Sequence, residues 1–205
     1  MILILSALTG IIVGALPLNK FLFKFFQSKN AGHQDEQHNL PFSLKFLLVS
    51  ADFIKGFFAA NLPVFVFYGG FYSTVISIAA FLATMHYLPW AKKYNMHSIA
   101  PIAGALILFN PLLDLAYFAM WIILLIYKRR IIFADIFANT LIIILLVTYF
   151  DIFNKNSYPS ASEDYHLLIS FSIIFLIQLS SYYSDIKRLF LASNKSLRKP
   201  DNESN

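Results

Sequence analysis

The chain has 205 residues, 58% of them hydrophobic and only 13% charged, with 22 Phe and a mean hydropathy of +0.64. Soluble domains average about 25% charged residues, so a soluble enzyme is excluded and a polytopic membrane protein is expected. The absence of cysteine removes disulfide frameworks, thiolate metal sites, cysteine nucleophiles and covalent haem attachment. The formal net charge of +5 needs no nucleic acid to explain it, because membrane proteins keep Lys and Arg on one side.

Seven apolar segments follow one another. The first runs from Ile2 to about Leu18 and is followed by Asn19 and Lys20; about 17 residues is the lower limit for a spanning helix. No Lys or Arg precedes it, so an uncleaved first span is expected rather than a secretory signal. The second, Leu40 to about Tyr68, carries Lys45, Asp52 and Lys55, and the third is Phe71 to Leu88. The stretch from Ser98 to Tyr127 is too long for one crossing. Pro111 disfavours helix at Asn110, which divides it into a short fourth segment and a full fifth. Ile131 to Phe150 and His166 to Tyr183 complete the set. The fold class is therefore all-α, a polytopic membrane helix bundle in a single domain over residues 1–192. Residues 27–39 form a polar loop with no apolar period, and residues 193–205 form a disordered tail.

The charges orient the bundle. With the N-terminus outside, the inner loops and tail hold 14 of the 16 basic residues, among them Lys20, Lys24, Lys92, Lys93, Arg129, Lys187 and Arg188. The outer loop at 151–165 carries Asp151, Glu163 and Asp164. That asymmetry predicts seven crossings with the C-terminus in the cytoplasm.

Polar groups inside a bilayer are costly, about 2.5 to 3.5 kcal/mol for Asp or Lys at a helix centre, so each needs a partner or a task. Asp52 and Lys55 are three residues apart on one helical face. They can neutralise each other, or Lys55 can present a cation to an anionic substrate, with Gly56 allowing close backbone approach. Asp114 and Asp135 read as structural, and Asn139 can hydrogen-bond across to another helix. His86 and His97 flank a segment containing Lys92 and Lys93 with Tyr87, Trp90 and Tyr94 interleaved. This is either an interfacial aromatic and basic belt or an anion site for phosphate with histidine as proton carrier. His33, Asp35, Glu36 and His38 have the wrong spacing for paired metal ligands, so no metal site is expected. A G-x-S-x-G elbow, a Walker loop and a G-x-G-x-x-G stretch are all absent.

The order of these features resembles a family. Gly14-Ala15-Leu16-Pro17-Leu18, Asp52-x-x-Lys55-Gly56, His86-Tyr87-Leu88-Pro89, Asn110-Pro111-Leu112 and Asp185-Ile186-Lys187-Arg188-Leu189 are similar to signatures of the PlsY-type integral-membrane acyl-phosphate:glycerol-3-phosphate acyltransferases. The resemblance implies a multi-pass protein of the cell membrane that moves an acyl group from acyl phosphate to the 1-hydroxyl of glycerol 3-phosphate. The product would be lysophosphatidic acid, the first step of phospholipid biosynthesis. No cofactor and no nucleic acid is implied; the partners are membrane lipids and, if the protein is active, the two substrates.

The departures fall in the family's cytoplasmic motifs. Residues 27–39 stand where S-G-N-x-G-A-T-N is expected. Met96, His97, Ser98 and Ile99 align with G-G-K-G, which removes the glycines that let backbone amides approach a phosphate. Tyr182 aligns with the histidine that opens the third motif, and Asn194 with its later glutamate. Two readings follow. One is a diverged acyltransferase in which Lys55, Lys92, Lys93, Ser98, Lys187 and Arg188 hold phosphate groups and His86 or His97 acts as base. The other is a non-catalytic relative that binds a lipid or phosphorylated ligand or regulates a membrane partner. A small transporter component is a third class, which needs an ionisable pathway through the bundle.

Overall fold

A computed structural model describes residues 1–29, 42–89, 99–128, 131–183 and 187, and the described residues form eight helices and no strand. In chain order these are α1 (Ile2–Ala15), α2 (Leu18–Lys29), α3 (Phe42–Phe67), α4 (Phe71–Tyr87), α5 (Ala100–Phe109), α6 (Pro111–Lys128), α7 (Ile131–Lys155) and α8 (Asp164–Ser181). Among the described residues, three stretches are long and apolar enough to cross a membrane: Ile2–Phe26, which takes in α1 and most of α2, Phe133–Lys155 and Asp164–Ser181. The shorter apolar helices include Phe71–Tyr87, Ala100–Phe109 and Pro111–Tyr127.

The first apolar segment ends sooner than its hydropathy suggests. Leu16 precedes a proline and takes φ −58°, ψ 119°, so α1 stops at Ala15 and a second helix begins at Leu18. That helix runs to Lys29, so residues 27–29, expected in a loop, belong to α2. Lys20, Phe21, Lys24 and Phe25 on α2 are exposed, whereas Asn19 is buried.

Two backbone-to-backbone contacts set the packing. Gly10 and Gly14 face α4, where a β-carbon on Gly10 would lie 2.1 Å from the Ser77 carbonyl oxygen and one on Gly14 2.8 Å from that of Phe81. Gly56 and Gly104 make the same kind of contact between α3 and α5, at 2.0 Å from the Pro101 carbonyl oxygen and 1.9 Å from that of Phe53. In lipid there is no hydrophobic drive to pair apolar helices, so close approach through small residues supplies the attraction.

The break at Asn110-Pro111 is a junction. Asn110 caps α6: its Oδ1 accepts from the Leu113 amide at 2.9 Å, with Pro111 at the first helical position. Its Nδ2 donates to the Phe153 carbonyl at 2.9 Å and to Ser157 Oγ at 2.6 Å. The end of α7 is thereby tied to the α5–α6 joint. The aromatic core lies between, with Phe109 stacked on Phe171 at 5.6 Å and Tyr117 beside Phe175 at 5.5 Å. Helix α7 continues past Phe150 to Lys155, bent at Tyr149 (φ −131°, ψ 31°).

Candidate functional site

Contacts between helices bring several polar residues to one end of the bundle. Gly14, one residue before the end of α1, packs against Thr84 near the end of α4. Asn19, just past the Pro17 elbow, reaches Asp52, and Gly56 touches Pro101 in the first turn of α5. Asp52 and Lys55, midway along α3, are therefore level with the place where the chain leaves α1. Helices α2 and α3 pack against each other.

Asp52 and Lys55 make the ion pair that their spacing allows, Nζ to Oδ1 at 3.5 Å, and both side chains are buried, at 0% and 2% exposed. Asp52 Oδ1 also accepts from Asn19 Nδ2 at 2.7 Å. A buried pair of this kind survives because hydrogen bonds and mutual attraction offset the loss of hydration. The ammonium is neutralised before any ligand arrives, so a phosphate at Lys55 has to compete with Asp52.

A second polar cluster sits among α4, α6, α7 and α8. Asp135 is fully buried, and its two oxygens accept from Trp121 Nε1 at 2.6 Å and from the Tyr182 hydroxyl at 2.8 Å. Gln178 Nε2 donates to the Tyr182 hydroxyl at 3.4 Å, and Gln178 Oε1 lies 2.7 Å from His86 Nε2. Beside it, the Tyr87 hydroxyl bonds Ser180 Oγ. Asn139 bridges helices by donating to the Tyr117 hydroxyl at 3.1 Å, while its Nδ2 also bonds the Asp135 carbonyl at 2.6 Å. Asp114 Oδ1 and Asn139 Oδ1 are buried with no hydrogen-bond partner among the described residues.

Among the expected site residues, the structure thus describes Asp52, Lys55, Gly56, His86 and Asn110, and it shows Lys187 as exposed. Asn110 belongs to the opposite end, with Phe153 and Ser157. His97, Lys92, Lys93, Ser98 and Arg188 lie outside the described residues, as do the loop from Asn30 to Asn39, with His33, Asp35, Glu36 and His38, and the tail 193–205. No group of metal-ligating side chains occurs among the described residues.

Asn19, Gln178 and Tyr182 were missed as partners. Gln178 had a readable signal, being an amide within an apolar helix where polar side chains need a partner. The spacing of Gly10 and Gly14, a G-x-x-x-G, was a readable sign of close helix packing.

Residues 1–192 match the family model described as Glycerol-3-phosphate acyltransferase. No curated protein and no solved structure matches the chain.

Proposed function

The chain belongs to the glycerol-3-phosphate acyltransferase family of membrane proteins, and from that premise we propose that it transfers an acyl group from acyl phosphate to glycerol 3-phosphate. The glycerol hydroxyl oxygen attacks the acyl carbonyl carbon, an ester bond forms, and the bond from that carbon to the phosphate oxygen breaks. The hydroxyl proton passes to a base and leaves on the released phosphate. His86 or His97 serves as that base. Lys55, Lys92, Lys93, Ser98, Lys187 and Arg188 hold the phosphate groups. The observation that carries this reading is the arrival of the Asp52–Lys55 pair and His86 at the same end of the bundle.

Two observations favour a second reading. Lys55 is already paired and buried, and Tyr182, which by the resemblance would stand in the place of the family's histidine, is fully buried and bonded to Asp135. A relative that binds a lipid or phosphorylated ligand without turning it over would tolerate both. Phosphate release by purified protein given acyl phosphate and glycerol 3-phosphate separates the two, with an intact-motif family member as positive control. Release that requires both substrates is the expected result. Silence beside an active control would overturn catalysis, and a lipid or phosphorylated compound found by mass spectrometry of the purified protein would then support the binding reading.

The same proposal includes seven crossings of the cell membrane, the N-terminus outside and the C-terminus in the cytoplasm, which leaves the site end facing the cytoplasm. Because the chain has no cysteine, single introduced thiols report sidedness cleanly. Glu163→Cys should react with a membrane-impermeant maleimide in intact cells, and Lys20→Cys only after permeabilisation; both side chains are exposed. The reverse pattern would invert the topology.

A further inference from the structure

The fully buried Asp135 carboxylate is linked to His86 through two intervening side chains, Tyr182 and Gln178. Trp121 Nε1 is a donor only, so Asp135 Oδ1 accepts there at 2.6 Å. The Tyr182 hydroxyl spends its one proton on Asp135 Oδ2 at 2.8 Å, which leaves its oxygen to accept. The Gln178 group facing that oxygen at 3.4 Å is therefore the NH₂, and the Gln178 carbonyl oxygen is turned toward His86. A carbonyl oxygen only accepts, so His86 Nε2, at 2.7 Å, carries a hydrogen. A neutral imidazole has one N–H, so its lone pair resides on Nδ1.

We propose that Gln178, oriented by Tyr182 and Asp135, is a positioning residue that holds His86 as the Nε2–H tautomer and makes Nδ1 its proton-accepting atom. Gln178, Tyr182 and Asp135 are all fully buried, so water does not compete for the contacts among them, and His86 is half-buried. The neighbouring Tyr87–Ser180 contact fixes the end of α4 against α8 one residue along, which holds the imidazole ring at the relay. The inference rests on the acyl-transfer reading only for what Nδ1 serves; the tautomer itself does not depend on turnover.

The test is nitrogen-15 histidine NMR of the full chain in nanodiscs, with the His86 signals assigned by their loss in His86→Ala. The expected wild-type result is a neutral His86 protonated at Nε2, with that proton in slow exchange with water. Gln178→Glu keeps an acceptor and should retain the slow proton, and Gln178→Leu should lose it. Tyr182→Phe removes the hydroxyl that orients the amide, so an Nδ1–H population should appear. The signals of His166, on the far end of α8, report folding in each variant. If Gln178→Leu fails to fold, the Gln178→Glu and Tyr182→Phe spectra carry the test. An Nδ1–H tautomer in the wild type, or an unchanged slow Nε2 proton in folded Gln178→Leu, would overturn the proposal. In the phosphate-release assay, Gln178→Leu should lower kcat at least about tenfold with KM nearly unchanged, and Gln178→Glu should recover part of it. Inactive wild type with the expected tautomer pattern would sink the acyl-transfer reading while leaving the positioning relay standing.

Discussion

Gly56→Ala is expected to prevent stable folding, although alanine in a helix is ordinarily worth about 0.5 to 1 kcal/mol over glycine. The sign reverses because of what the new methyl group meets. A β-carbon at Gly56 would lie 2.0 Å from the Pro101 carbonyl oxygen and 2.9 Å from its carbonyl carbon, both backbone atoms that cannot rotate aside. The opposing glycine closes the contact from the other side, since a β-carbon at Gly104 would lie 1.9 Å from the Phe53 carbonyl oxygen. Relief requires moving α5 as a body. That helix buries Ile102, Ala105, Leu106 and Phe109 almost completely, so the displacement opens the core as well. Overpacking commonly costs about 1 to 3 kcal/mol where side chains can adjust, and here they cannot. Detergent-solubilised Gly56→Ala should aggregate on size exclusion or melt well below wild type. Gly70→Ala is the control, with nothing within 4 Å of its added methyl, and as the N-cap of α4 should lose no more than about 1 kcal/mol. Equal melting of Gly56→Ala and wild type would show that the α3–α5 contact is looser than described.

That contact also marks what could be read from the chain and what could not. The break before Pro111 was legible because proline acts on the residue next to it, and the Asp52–Lys55 pair because i,i+3 neighbours share a helical face. The stop at Ala15 obeys the same proline rule. It went unread because the apolar run continued smoothly through Leu16 and Leu18, and hydropathy masked the elbow. With the elbow unseen, α2 was missed, and Asn19 with it. Its partner Asp52 lies 33 positions along the chain, and no local periodicity encodes a contact of that separation. Gln178, Tyr182 and Asp135 are likewise drawn together from two helices, so each could be flagged as costly in an apolar segment but not matched. Of the residues expected to do chemistry, the Asp52–Lys55 pair was legible as a pair, whereas the environment that buries it was tertiary.

That burial makes Lys55→Ala the most informative substitution. It removes the cation 3.5 Å from a carboxylate that is fully buried. Taking one partner from a buried pair costs about 3 to 5 kcal/mol, mostly from the charge left behind in a poor solvent. A large loss of stability is therefore expected from Lys55→Ala alone, whether or not Lys55 ever meets a substrate. Asp52→Asn in the same chain removes the stranded charge while keeping an oxygen for Asn19, so the double variant should return to within about 1 kcal/mol of wild type. The stability cycle, read by denaturant unfolding in detergent, thus isolates the structural share of Lys55. Phosphate release read on the double variant isolates the rest. If Lys55 holds a phosphate group during transfer, the restored protein should still turn over at least about tenfold more slowly than wild type, a loss of roughly 1.4 kcal/mol of transition-state stabilisation. Turnover recovering together with stability would confine Lys55 to neutralising Asp52 and move phosphate recognition to other residues. A double variant as unstable as Lys55→Ala would mean that the ammonium does more for the fold than neutralise its neighbour.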